Sequence, residues 1–277
     1  MIPYPHINPD LITIGPITIG SHTIGPIRVR WYGIMYVLGF VASYFLLQKQ
    51  KRSKEVGLVG TVAQDLIFYL AIGLIVGGRL GYILFYEYND FGPYIRNPLE
   101  IIATWHGGMS FHGGLIGCVI AGWIFSRRRK IPFAALADCT IVTAPIGLGL
   151  GRLGNFINGE LLGRPSNLPW AMVYPDGGPI PRHPTQLYEA LAEGVLLFFI
   201  LWYLHKRPFK DGMMVVFFLF FYGVFRFIIE YFKEPDPQLG YLLGQNFTMG
   251  QILCILMIIA SGLLALLLKL GGNSERK

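Results

Sequence analysis

Seven apolar stretches, near residues 31–48, 62–86, 110–126, 134–157, 187–204, 213–232 and 247–268, dominate this chain of 277 residues. Each is near or above the ~17 residues that a helix needs to cross bilayer hydrocarbon. In lipid every backbone polar group must be paired within the chain, which leaves helices or closed barrels as the only spanning structures. Runs of this length and continuity predict helices. Composition agrees, with 53% hydrophobic and only 14% charged residues, where an average soluble domain has about 25% charged. The fold expected is an all-α polytopic membrane protein with seven transmembrane helices. Disorder and coiled coil are excluded. Three scattered cysteines, Cys118, Cys139 and Cys254, make neither a disulfide framework nor a zinc ribbon.

The basic residues orient the spans. Fourteen Lys and Arg fall in the loops after the first, third and fifth spans and in the tail, among them Lys51, Arg52, Arg127–Arg129, Arg207, Arg276 and Lys277. Six lie on the opposite side: Arg28, Arg30, Arg96, Arg164, Arg182 and Lys233. The positive-inside rule makes the richer side cytoplasmic, with the N-terminus outside and the C-terminus inside. The net charge of +7 therefore reads as contact with anionic lipid rather than nucleic acid. Residues 1–30 are polar and extended, repeat Ile-Gly-Pro at 14–16 and 24–26, and lack the pattern of a cleaved signal peptide. Segment 158–184 holds four Gly and six Pro, so it reads as a small outer head held by turns. The chain is expected to be a single transmembrane domain over 1–277 with these two outer appendages.

The remaining basic residues, Arg79, Arg152 and Arg226, sit inside apolar stretches. A charge at the bilayer centre costs at least about 2.5 kcal/mol on the insertion scale. These arginines need carboxylate partners, with Asp65, Glu189, Glu193 and Glu230 available, or a cavity that receives a phosphate headgroup. Guanidinium suits phosphate because it stays charged and grips two oxygens at once. Tyr222, Arg226 and Glu230 recur every four residues and share one helix face. Arg152 and Asn155 share another, followed by Asn158 and Glu160, and Gly147, Gly149, Gly151 and Gly154 thin that helix. Gln186, Glu189 and Glu193 line one face of the fifth span, where a carboxylate can fix the direction of an intramembrane Arg. His112 lies between two Gly-Gly pairs, which let a ligand or another backbone come close, and His106 reads as interfacial. No second His or carboxylate stands at metal-ligand spacing, so no metal is expected. The cysteines read as buried hydrophobes. An intramembrane hydrolase using Ser110 and His112 is an alternative, although i, i+2 is poor helical geometry. An anion or lipid transporter is another, although no inverted repeat is visible.

These segments resemble the bacterial prolipoprotein diacylglyceryl transferase family over nearly the whole chain. The resemblance is carried by Arg30-Trp31-Tyr32-Gly33, Gly77-Gly78-Arg79-Leu80-Gly81-Tyr82, the run Gly107–Gly117 around His112, Gly151–Glu160, Arg182–Glu189 and Tyr222–Arg226. It implies a seven-span enzyme of the bacterial cytoplasmic (inner) membrane, with a periplasmic N-terminus and head, a cytoplasmic C-terminus and an active site opening to the periplasm. The activity implied is transfer of the sn-1,2-diacylglyceryl group from phosphatidylglycerol to the lipobox cysteine thiol of preprolipoproteins. That yields a thioether and glycerol phosphate and is the first step of lipoprotein maturation. No cofactor is implied, the partners are the two substrates and the bilayer, and a monomer is expected. The family's essential residues fall on His112, Arg152 and Arg226, with Tyr32, Asn155, Gly163 and Tyr222 in support. Arg79, Asn158, Glu160, Glu189 and Glu230 complete the expected substrate-binding set. Whether His112 accepts a proton or only positions a group is open, as is the division of labour between the two arginines.

Overall fold

The computed structural model describes residues 2–19, 22–89, 91–104, 107–235, 241–242 and 247–274. His106, Arg276 and Lys277 lie outside the described residues. The N-terminal segment is extended: β1 (Ile2–Pro3), β2 (Asp10–Ile14), β3 (Ile17–Ile19), β4 (His22–Ile24) and β5 (Ile27–Arg30). β2 pairs antiparallel with β5, and β3 with β4. β1 pairs in parallel with β6 (Met172–Val173) of the head. The helices are α1 (Trp31–Lys49), α2 (Lys51–Glu55), α3 (Thr61–Tyr86), α4 (Gly92–Arg96), α5 (Phe111–Arg129), α6 (Phe133–Ile141) and α7 (Ala144–Asn158), then α8 (Thr185–Glu189), α9 (Leu197–Leu204), α10 (Met213–Glu230) and α11 (Met249–Ser274). A π-helical segment, Ala190–Leu196, joins α8 to α9. A short antiparallel pair, β7 (Tyr241–Leu242) and β8 (Phe247–Thr248), precedes α11.

Among the described residues, five helices are long and apolar enough to cross a membrane: α1, α3, Thr185–Leu204, α10 and Met249–Leu270. The pair α6 and α7 makes a sixth if it counts as one span, and it is bent by 44°. The break has a local cause. Thr143 turns its hydroxyl back onto the Thr140 carbonyl at 2.8 Å. Pro145, in the first turn of α7, has no N–H to continue the ladder. α5 is a 19-residue helix whose last turn is Arg127, Arg128 and Arg129, and it falls outside the apolar set.

The chain divides into two units, Tyr44–Cys139 and the combination of Met1–Ser43 with Thr140–Lys277. In the former, α3 and α5 approach until backbone touches backbone. A Cβ on Gly117 would lie 2.0 Å from the Gly73 carbonyl oxygen, and one on Gly77 2.4 Å from that of Gly113. This is the small-residue packing that membrane helices use where no hydrophobic force distinguishes protein from lipid. In the latter, Val142, Leu197, Leu201 and Met214 form a buried cluster beneath the aromatic side chains of α9 and α10. A second cluster, Tyr4, Phe156, Met172 and Tyr174, ties the N-terminal segment and the head to the end of α7. The Tyr4 hydroxyl donates to the carbonyls of Phe156 and Ile157.

Gly117→Ala is expected to lower stability by about 1–3 kcal/mol, because backbone cannot yield as a side chain can. Gly262→Ala on α11, where a Cβ meets nothing within 4 Å, is expected to be neutral or to stabilise by up to about 1 kcal/mol. Thermal unfolding of both variants in one detergent checks the contrast.

Candidate functional site

Cations and carboxylates from α7, α8, the π segment, α10 and the turn after α10 meet inside the larger unit. Arg152 Nε lies 3.1 Å from Glu189 Oε2 and 3.8 Å from Glu193 Oε2. Arg226 Nη1 pairs with Glu189 Oε1 and lies 3.8 Å from Glu193 Oε1, while its Nη2 is 2.8 Å from Glu230 Oε2. Lys233 Nζ reaches Glu189 Oε1 at 3.4 Å. Glu189 and Glu193 are wholly buried. Three cations thus face three carboxylates, which answers the charge problem of this region without any ligand. Burial and the neighbouring Arg226 push the Lys233 ammonium below its ordinary range.

Backbone geometry makes the meeting possible. Gly149 on α7 and Gly194 of the π segment pack so closely that a Cβ on either would lie within 3 Å of the other's Cα. Gly149 stands nearly one turn before Arg152, and Gly194 follows Glu193, so the contact brings guanidinium to carboxylate. The π segment widens the helix just where Glu193 enters, a feature frequent at functional sites. Glu230 is held on its far side by the Thr248 hydroxyl at 3.0 Å. Gln251 in turn fixes Thr248 through its backbone N–H and side-chain oxygen.

At the C-terminal end of α7, Asn155 Nδ2 and Asn158 Nδ2 both donate to Glu160 Oε1, at 2.7 and 3.1 Å. Gln186 Nε2 donates to the Glu160 carbonyl at 2.6 Å, and Gln186 Oε1 accepts from the Tyr174 hydroxyl at 3.1 Å. Gln186 therefore supports the start of α8 rather than an arginine. The Tyr32 ring lies against Gly154, where a Cβ would come within 2.7 Å, and its hydroxyl is 3.2 Å from that of Tyr36. Tyr222 stacks on Phe218 one turn before Arg226. Gly163 is a packing residue: a Cβ there would lie 2.3 Å from the His183 carbonyl oxygen. It bridges to Lys233, which couples the head to the cluster.

Arg152, Arg226, Glu189, Glu230, Tyr222, Asn155, Asn158, Glu160, Gly163 and Tyr32 thus all belong to the larger unit. Two members of the expected set belong to the other. His112 is exposed in the first turn of α5, its ring against Phe111. The glycines beside it serve α3 instead of a ligand, since a Cβ on Gly113 would strike the Gly77 carbonyl and one on Gly114 the Leu74 side chain. Ser110 is the N-cap of α5, buried and accepting from Gly113 N at 3.2 Å, which removes support for a Ser110–His112 hydrolase pair. Arg79 is expected from the sequence to face substrate or pair with a carboxylate. Its guanidinium instead donates to four backbone carbonyls: Glu100 at 2.6 Å, Gly107 at 2.8 Å, Gly108 at 3.1 Å and Ile101 at 3.2 Å. Tyr82 and Tyr94 flank it. Asp65, another expected partner of the interior arginines, pairs with Arg129.

Sequence reading named Glu193 among the possible partners of the interior arginines, and it lies 3.8 Å from both Arg152 and Arg226, but it missed Lys233 as a member of the cluster. Lys233 continues the Arg226, Glu230 stripe three residues further on, a signal masked by its place beyond the end of α10.

Fold and cluster together define a polytopic helical membrane protein that gathers two arginines around a shared buried carboxylate. The sequence model of the family described as prolipoprotein diacylglyceryl transferase matches residues 20–267. Relatives named phosphatidylglycerol–prolipoprotein diacylglyceryl transferase include that of Geobacter sulfurreducens, 48% identical over 264 residues, covering 95% of this chain and 96% of the relative. That of Desulfotalea psychrophila is 49% identical, covering 89% and 92%. That of Nitratidesulfovibrio vulgaris is 44% identical, covering 100% and 99%. The chain belongs to the prolipoprotein diacylglyceryl transferase family.

Glu189→Gln is expected to destabilise by about 3–5 kcal/mol, because it leaves buried cations in excess. Glu55→Gln, which breaks exposed pairs with Lys51 and Arg52, is expected to cost less than about 1 kcal/mol. Thermal unfolding in detergent compares the two. Arg79→Lys is expected to speed amide exchange at residues 100–104 and 107–110 as much as Arg79→Met does, since an ammonium cannot fork to four carbonyls. Hydrogen-exchange mass spectrometry reads this directly.

Proposed function

We propose that the chain transfers the sn-1,2-diacylglyceryl group of phosphatidylglycerol to the lipobox cysteine thiol of a preprolipoprotein, the first step of lipoprotein maturation. The observation that carries this reading is the convergence of Arg152 and Arg226 on Glu189 in a chain of this family. A bond forms between the acceptor's sulfur and the glyceryl carbon. The bond between that carbon and the phosphate oxygen breaks, and its electron pair leaves on glycerol phosphate. Negative charge therefore grows on oxygen, where Arg152 and Arg226 stabilise it in a low-dielectric setting. Their forks exchange carboxylate oxygens for phosphate oxygens of similar geometry.

A free thiol ionises near pH ~8.5, so attack at neutral pH needs a base, and His112 takes that proton. Glu189 and Glu230 aim the arginines, while Tyr32, Asn155, Asn158, Glu160, Gly163 and Tyr222 shape the substrate side. Arg79 acts at a distance, by holding the loop before α5. No cofactor takes part, because the phosphate ester is already an activated leaving group.

The reading extends to topology. α5 is the span that completes the seven, about 28 Å long at ~1.5 Å per residue, with its arginines at the cytoplasmic headgroups. The N-terminal segment 1–30 and the head at about 158–184 are periplasmic appendages of one transmembrane domain. The C-terminus is cytoplasmic, the membrane is the bacterial inner membrane and the working unit is a monomer. The distribution of Lys and Arg supports this orientation.

Detergent-solubilised protein, phosphatidylglycerol and a lipobox peptide are expected to give a diacylglyceryl mass gain on the peptide cysteine, and lack of that gain sinks the proposal. Replacing Cys118, Cys139 and Cys254 together by Ala is expected to preserve transfer, because the thiol belongs to the acceptor. His112→Gln is expected to lower turnover by about 10²-fold or more while leaving lipid binding in place; full recovery at saturating lipid would make His112 a binding residue. Arg226→Lys is expected to be nearly as damaging as Arg226→Ala, because an ammonium is a point donor where phosphate needs a planar fork. Near-normal turnover by the lysine variant, at matched expression, returns Arg226 to the scaffold.

A further inference from the structure

The transfer chemistry leaves one carboxylate of the cluster without a task. Glu193 is wholly buried, and neither of its oxygens accepts a hydrogen bond from the described residues. Its Oε2 stands 3.8 Å from Arg152 Nε and its Oε1 3.8 Å from Arg226 Nη1, beyond hydrogen-bond reach. The other two carboxylates are held more closely. Glu189 has Arg152 at 3.1 Å, Lys233 at 3.4 Å and its pair with Arg226. Glu230 has Arg226 at 2.8 Å and the Thr248 hydroxyl at 3.0 Å.

A bound phosphodiester upsets this balance. Three cations already face three carboxylates, and the diester adds one negative charge. It takes the forks of Arg152 and Arg226, the same guanidinium groups that face Glu193. Glu189 then keeps Lys233, and Glu230 keeps Thr248. Glu193 keeps no partner, and a buried carboxylate without one neutralises rather than stay charged. The neighbouring groups offer no other outlet. Arg152 from α7 and Arg226 from α10 hold their protons throughout. Lys233 after α10, Tyr222 on α10 and Cys254 on α11 also lie within electrostatic reach of Glu193. Each carries its proton already in its ordinary form, so none can absorb an added negative charge by taking up another. Only a carboxylate can, and Glu193 is the one that no hydrogen bond holds.

We propose that Glu193 takes up one proton from solvent as the phosphodiester of the donor lipid binds, so that the loaded cluster sets three cations against two carboxylates and one phosphate. The protonated carboxyl becomes a hydrogen-bond donor where the carboxylate could only accept. Glu193 is thereby a positioning residue, which tunes how tightly the two arginines hold phosphate. The inference rests on the transferase reading above, which supplies the phosphodiester.

Binding of phosphatidylglycerol to the full-length protein in detergent, without peptide, tests this in two ways. In weakly buffered solution with a pH indicator, the wild-type protein is expected to take up about one proton per lipid bound. Diacylglycerol, which lacks the phosphate, is expected to cause no uptake. Over about pH 6–9 the Kd for phosphatidylglycerol is expected to rise with pH, by up to about tenfold per unit, because a required proton becomes scarcer. Glu193→Gln, an isostere of the protonated form, is expected to abolish the uptake, to flatten the pH profile and to bind phosphatidylglycerol at least about tenfold more tightly than wild type near pH 9. A merely structural glutamate would not give that gain. Absence of proton uptake by the wild-type protein overturns the inference without recourse to any variant. A slope that persists in Glu193→Gln overturns it too and passes the proton to Lys233, Cys254 or another group. Proton-linked binding with no thioether formed on a lipobox peptide leaves the inference about Glu193 standing and overturns the transferase reading, whereas lipid that does not bind overturns both.

Discussion

Glu189 holds two arginines and a lysine with a carboxylate that solvent does not reach. A carboxylate so placed is tolerable only while the cations stay, and the cations are tolerable only while it stays. The close contact of Gly149 with Gly194, the widened turn at Ala190–Leu196 and the Thr248 and Gln251 brace behind Glu230 all serve that mutual condition. Because the cluster balances its own charge, it can rest without substrate. In the proposed reaction an entering phosphate would meet guanidinium groups already aimed and would compete with the glutamates that hold them.

The head is joined to this cluster through backbone. Arg164 N and Nε donate to the carbonyls of Phe232 and Lys233, Glu234 N donates to Leu162 O, and Arg182 pairs with Glu234. Lys233 sits in the middle of these contacts, with its side chain turned inward to Glu189. A shift of the head is thereby a shift of the lysine. β1 and Tyr4 also bind the N-terminal segment to the head and to α7, so segment and head form one interlocked piece around the end of that helix.

Much of this was legible in residue order. Apolar runs located the helices, since lipid tolerates few alternatives. The four-residue spacing of Tyr222, Arg226 and Glu230 put them on one face because helical geometry leaves no choice. The same reasoning stopped where partners come from distant segments. Nothing in Gly77-Gly78-Arg79 distinguishes an arginine that faces phosphate from one that gathers four carbonyls, because the carbonyls carry no sequence signature. Ser110 entered the sequence reading only as a possible nucleophile beside His112, and its role as a cap shows only once its partner, the Gly113 N–H, is seen. The bend between α6 and α7 was hidden for a similar reason, since Thr143 and Pro145 each occur in unbroken membrane helices when neighbours re-satisfy the backbone.

The π-helical stretch has a consequence for how such a chain can change over generations. A π turn amounts to one extra residue in an α-helix. Losing a residue anywhere in Ala190–Leu196 would restore the regular ladder and leave α8 and α9 close to their present faces, because the wide turn is what absorbs the extra residue. What would move is the stretch itself, with Glu193 and Gly194 turned away from Arg152, Arg226 and Gly149. A single-codon deletion there would pass almost unnoticed by the rest of the span and still dismantle the cluster.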